Sequence, residues 1–153
     1  MRSALETKDF FSSVELVLGR DHTVEEAESF VGAAAAHSDG LKIVSLTDLP
    51  SGNPALPPEA FAQIVSEAGL TPIVHITGKD GNRNSLEGRL HSLARLGVES
   101  VLALTGDAQR EGFQGRSKPV YDLDSVLIVC LVQAMREGLE YRRGKRSLRT
   151  TPF

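Results

Sequence analysis

Four short apolar runs in this chain carry polar groups near their carboxyl ends. Glu15 interrupts Val14–Leu18, while Thr47 and Asp48 end the run that begins at Ile43. His75 and Thr77 lie in Pro72–Thr77, and Thr105, Gly106 and Asp107 end the run that begins at Ser100. A single buried polar side chain is ordinarily structural and hydrogen-bonded. One or more from every run, all at the same end, points instead to a shared site. Glu15 has two readings. It is either an outward-facing or salt-bridged glutamate, or a carboxyl held in a low-dielectric pocket and suited to giving a proton. His75 reads equally as a satisfied core histidine or as a site residue. Asp107 fits a role in chemistry but also fits a turn cap, since Gly-Asp is common in loops.

Other chemical templates are missing. The sequence has no Gly-x-x-x-x-Gly-Lys-Ser/Thr, no Gly-x-Gly-x-x-Gly, no His-Glu-x-x-His and no Gly-x-Ser-x-Gly. Asp80, Asn82 and Asn84 imitate the start of a calcium loop, but Ser85 stands where glycine is required and His91 where glutamate is required. The four histidines have no metal-ligand spacing, and there is one cysteine, so no metal site is expected.

The elements that position the polar groups follow from a repeat. Val14–Leu18, Ile43–Thr47, Pro72–Thr77 and Ser100–Thr105 are β-rich and nearly continuous in apolar residues. They recur about every 30 residues, each followed by a turn-rich stretch and a helical pattern. This predicts an α/β chain of parallel βα repeats with both sheet faces covered. Thr23 with Glu26, and Asn84 with Glu87, form capping-box patterns. Pro57-Pro58-Glu59 opens the second helix, and Gly69 and Gly97 are natural stops. A fourth helix is expected from Asp122 or Asp124 to about Glu140. Its centre, Val126–Val132, is β-branched enough to read as a strand, but the flanks favour a helix. Because it is apolar on most of its circumference, it should be deeply buried. Cys130 lies within it and reads as a buried hydrophobe, with a reactive thiol as the alternative. The loops after the strands are long and rich in Gly, Pro, Asn and Asp, and those before the strands are short. In parallel α/β folds, function sits at the carboxyl ends of strands, where these long loops lie.

The 153 residues are 41% hydrophobic and 24% charged, with a net charge of −3. That suits one domain with one core and excludes low-complexity disorder. The longest strict apolar run, Val126–Val132, is too short to span a membrane. The N-terminus has no basic region followed by an apolar core, so no secretory signal is expected. With a lone cysteine as well, the expected location is cytoplasmic. Residues 136–149 hold six of the 17 basic and two of the 20 acidic residues, which leaves the rest at −7. Such a basic segment can meet nucleic acid. It lacks interleaved aromatics, so a helix end followed by a solvated segment is the expectation, with no nucleic-acid partner.

The ordered motifs Val14-Glu15-Leu16, Val44-Ser-Leu-Thr47-Asp48, Val74-His75-Ile76-Thr77 and Leu102-Ala-Leu-Thr-Gly-Asp107 resemble the methylenetetrahydrofolate reductase family. Gly97–Asp107 is the most specific stretch. Thr47–Pro54 and Tyr121–Ser125 look most like the branch fused to homocysteine methyltransferases. The resemblance runs from about Val14 to Phe153. It implies a flavin-bearing (βα)8 barrel of the TIM type, of which this chain is the first half. The family reduces 5,10-methylenetetrahydrofolate to 5-methyltetrahydrofolate, in one-carbon metabolism that supplies methionine. The implied partners are the folate substrate and a nicotinamide or other electron donor. The implied cofactor is FAD, with FMN as the alternative. By resemblance, Glu15 matches the acid that activates the folate, and Asp107 matches the aspartate beside the flavin and folate. Thr47, His75, Leu104, Thr105, Gly106 and Asp107 match flavin-contacting positions. Thr105 stands where some members carry a basic residue, and Asp48-Leu49 where others have Tyr-Gly.

The expected organisation is a single half-barrel unit over 1–153. Residues 1–12 are a lead-in, and the basic segment 141–153 is where a longer chain would be cut. Thr150–Phe153 looks like the threshold of a fifth strand. A barrel closes by pairing its last strand with its first. Four strands leave open edges, so self-association or a partner chain is expected to cover them. The alternative to a reductase portion is a non-catalytic folate-binding or assembly module without a complete flavin site.

Overall fold

The computed structural model describes residues 12–37, 41–141 and 144–147. Four apolar segments form strands: β1 (Ser12–Leu16), β2 (Leu41–Leu46), β3 (Thr71–Thr77) and β4 (Val101–Leu104). All pair in parallel, in the order β1-β2-β3-β4. Helices α1 (Val24–Ala36), α2 (Glu59–Glu67) and α3 (Arg83–Arg95) cross between successive strands, and α4 (Ser125–Glu137) follows β4. This is the alternation of half a TIM-type barrel.

The register sorts the side chains into two faces. Leu16 pairs with Leu46, Leu46 with Val74, and Val74 with Val101. Leu16, Val44, Leu46, Val74 and Ile76 are buried in one core with Ala27, Val31, Phe61, Val65, Leu86, Leu90 and Leu93 from the helices. Burying each large side chain contributes about 1.5–3 kcal/mol. The opposite face is the inward one. It carries Glu15 beside Ser45 and Ile73, and His75 beside Leu102. Among the described residues, β1 and β4 each pair on one side only.

β1 ends earlier than its apolar run suggests. The Leu18 N–H donates to Thr47 Oγ1 at 3.0 Å, so a side chain takes the place of the next ladder partner. The α1 capping box forms as expected, with Glu26 N–H donating to Thr23 Oγ1 and Thr23 N–H donating to Glu26 Oε2. The cap of α3 is Asn82 rather than Asn84. Its backbone is extended, and its Oδ1 accepts from Ser85 N–H at 3.0 Å, which places Asn84 inside the helix.

The fourth element is a helix, capped by Asp124 through Leu127 N–H at 2.8 Å. It is not deeply buried. Ile128 and Met135 are inside, but Val126 is 67% exposed and Val129 58%. Cys130 is exposed, contrary to its reading as a buried hydrophobe. The reason is geometric: α4 lies on the sheet by one stripe, and nothing among the described residues covers its other side.

Two regions read as loop or solvated segment contain hairpins. These are β5 (Glu111–Gly112) with β6 (Gly115–Arg116), and β7 (Glu140–Tyr141) with β8 (Gly144–Ser147). Most of the expected lead-in (residues 1–11), residues 142 and 143, and residues 148–153 with the expected strand threshold lie outside the described residues. Among the described residues, no helix is long and apolar enough to cross a membrane.

Candidate functional site

Parallel strands that start in step also end in step, so the strand-end polar groups converge. A cavity of about 570 Å3 opens on the inward face at the carboxyl ends of β1–β4. Glu15, Thr47, His75, Leu104, Thr105, Gly106 and Asp107 all line it. Asp48, Leu49, Thr77 and Leu102 are also in its wall. The volume falls within the roughly 300–1,000 Å3 usual for small-molecule sites.

His75 is 6% exposed, and its Nε2 is buried without a hydrogen-bond partner. Burial pushes the imidazole pKa below its ordinary 6.5, against the opposing pull of Glu15 and Asp48. The ring is therefore neutral at pH 7, and its 3.9 Å approach to Glu15 Oε2 is not an ion pair. That separation is too long for a hydrogen bond. It leaves both groups open to a third atom, such as a water or a ligand heteroatom. Glu15 itself departs from the buried-pocket reading: its side chain is 53% exposed. β1 is an edge strand, and no described element lies over its inward face.

The two threonines are already engaged. Thr47 Oγ1 accepts from Leu18 N–H and donates to Leu16 O, tying β1 to β2. Thr105 Oγ1 accepts from Ser125 N–H and donates to Ser125 Oγ, pinning the first turn of α4. Each keeps one free lone pair. Gly106 has φ +101, and a Cβ there would meet Thr77 Cγ2 at 2.2 Å and Lys79 Cγ at 3.1 Å. Glycine is required on both counts, and it lets the Thr105–Asp107 backbone pack directly against Thr77 and Lys79. Asp107 is exposed at the rim.

Beneath the cavity lies a network that the sequence did not announce. Asp48 is 9% exposed. Its Oδ2 accepts from Thr77 N–H at 2.8 Å and from Arg89 at 3.0 Å. Its carbonyl accepts from Thr77 Oγ1 at 3.1 Å. Arg89 also donates to Glu59 at 2.5 Å. Burial opposes the guanidinium charge, but its bonds to Glu59 and Asp48 outweigh this, so its pKa is raised. Arg89 lies three residues after Leu86 and four before Leu93, on the apolar stripe of α3. A cation there is the signal that could have exposed the network. Lys79 is 1% exposed and pairs with Asp80; its neighbours in sequence give no hint of burial.

Among the described residues, no group of three or more His, Cys, Asp or Glu could hold a metal ion. Comparison with curated proteins finds no match. The sequence model of one family, methylenetetrahydrofolate reductase, matches residues 1–142. That span includes every strand end in the cavity wall. The chain thus belongs to the methylenetetrahydrofolate reductase family, a family of folate-linked oxidoreductases.

Proposed function

We propose that this chain supplies the β1–β4 side of a flavin-dependent site that reduces 5,10-methylenetetrahydrofolate to 5-methyltetrahydrofolate. The observation that carries this reading is the convergence of the seven strand-end residues on one cavity, with an unpartnered His75 Nε2 beside Glu15.

The cavity suits a flavin. Its wall offers a buried nitrogen without a partner, a glycine backbone that no side chain could replace, and apolar surface from Leu102 and Leu104. His75, Leu104, the Thr105–Asp107 backbone and the spare lone pair of Thr47 would hold it. When bound, the flavin supplies hydride transfer. The remaining work belongs to side chains of this chain. Glu15, half-exposed on the inward face, is the carboxyl placed to relay a proton to the folate. Asp107 at the rim orients the pterin by accepting hydrogen bonds. Neutral His75 offers Nε2 to a donor or, as the other tautomer, an N–H to an acceptor. A nicotinamide or other reduced carrier supplies the electrons. The outer edges of β1 and β4 are where further strands, from a partner or a second copy, would complete the wall.

Fluorescence quenching of FAD by the purified chain tests the binding. Saturable quenching is expected, and Gly106→Val should abolish it. Absence of quenching by the wild-type chain would refute the flavin reading. In a folate-reducing assembly that contains this chain, Glu15→Gln should lower turnover by roughly 10²-fold or more, the usual worth of a general acid. An undiminished rate would remove Glu15 from that role.

A further inference from the structure

A second cavity, of about 410 Å3, lies beside the first and shares Leu49 as a common wall. It is bounded by the turn from Gly52 to Pro54 and by the loop that carries β5 and β6. Three cations line it: Arg110, Arg116 and Lys118. None forms an ion pair with a described residue. The only acid in the wall, Asp80, is already engaged by Lys79 and by Gln109 Nε2, the latter at 3.1 Å. Glu111 stands opposite Arg116 across the hairpin, outside the wall and in no ion pair with it; the wall itself sets three cations against one engaged acid, in a concavity where field lines are focused.

The loops that hold these cations are braced against each other. Arg110 N–H donates to Gly52 O at 2.8 Å. Gly52 has φ +74, and a Cβ there would lie 2.0 Å from Ala108 O, so the two backbones touch. Leu49 and Ser51 are also left-handed, with φ 51 and 53. Such backbone persists where its surroundings hold it in place. The cations are therefore presented from a defined rim.

We propose that this second cavity binds a multiply charged oxyanion group borne by the ligand of the adjoining site. A polyanion seated in the cavity would meet all three cations at once. The two arginines present planar forks that match carboxylate and phosphate oxygens. The inference rests on the first cavity being a folate and flavin site. Two sources carry this chemistry there: the glutamyl carboxylates of a folate and the phosphates of a nucleotide cofactor.

The purified chain, without flavin or folate, can be titrated with inorganic pyrophosphate and, separately, with a γ-linked triglutamate. Backbone amide shifts are followed by NMR. Saturable shifts confined to 109–118 are expected, with affinity falling as salt rises. The double substitution Arg116→Ala with Lys118→Ala should weaken binding roughly tenfold, as for the loss of two exposed ion pairs. Arg95→Ala with Arg136→Ala, two exposed cations outside this wall, should leave it unchanged. The tighter probe identifies the source. Lack of saturable shifts with either probe would overturn the proposal, as would equal losses in the two double variants, which would mean diffuse attraction to basic residues. Both substituted side chains at 116 and 118 are exposed, and an unchanged melting temperature verifies folding. Because no flavin is present, this outcome is independent of the quenching test.

Discussion

Removing the carboxylate of Asp48 should loosen the floor of the site. Asp48→Ala leaves the Thr77 N–H, now bonded at 2.8 Å, buried without an acceptor. An orphaned buried donor costs about 1–3 kcal/mol. The substitution also breaks the 3.0 Å bond from Arg89. That contribution is smaller, because the Arg89 side chain keeps Glu59 as a second carboxylate partner; about 1 kcal/mol is appropriate for the loss of one such hydrogen bond. The total is about 2–4 kcal/mol, which for a chain of this size lowers the melting temperature by about 5–15 °C. Asp48→Asn retains one acceptor and should cost about half as much. Urea denaturation followed by circular dichroism measures both variants. A cycle with Arg89→Met isolates the pairwise coupling, expected near 1 kcal/mol. If Asp48→Ala fell within about 0.5 kcal/mol of wild type, the range of ordinary surface changes, or if the cycle gave no coupling, the network would not be holding the β2 and β3 ends together.

Gly106→Ala places a methyl group 2.2 Å from Thr77 Cγ2 at φ +101; a loss of about 1–3 kcal/mol in denaturant is expected from strain of this kind. His75 has a pKa lowered by burial, so the unfolded chain takes up its proton first as pH falls below 6.5. The stability it confers is complete above 6.5 and declines as pH drops toward the folded value. His75→Gln should flatten that part of the stability profile, and an imidazole that titrates at or above 6.5 by NMR would contradict this. Asp122, bonded by Arg83, is held down to about 2. Its contribution is present above the ordinary 3.8 and is lost as pH falls toward 2. Arg83→Ala should return its NMR titration midpoint to the ordinary range. Cys130 is exposed on α4, so it should react with a thiol reagent in the native protein as fast as in denaturant; protection would mean that this helix face is covered in solution.

The sequence alone determined the parallel βα alternation, because strand and helix periodicities and their capping residues are local signals. It also determined which strand ends meet. Glu15, Thr47, His75, Thr105, Gly106 and Asp107 sit at equivalent points of a repeat, and parallel register carries equivalent points to one edge. What it misjudged depended on neighbours distant in the chain. The apolar circumference of α4 reads as deep burial, but burial is set by what packs on each side, and only the Ile128 and Met135 stripe meets the sheet. Of the two readings of Glu15, the carboxyl in a dry pocket fails, because its exposure is decided by the edge position of β1. The Asp48–Arg89–Glu59 network joins residues 41 and 30 positions apart; Arg89 on the apolar stripe of α3 marks a buried cation, but no local pattern names its partners. Tertiary structure also decided that Arg110, Arg116 and Lys118 share a cavity. Charge composition is summed along a chain, whereas the field at a site depends on which charges the fold leaves without partners.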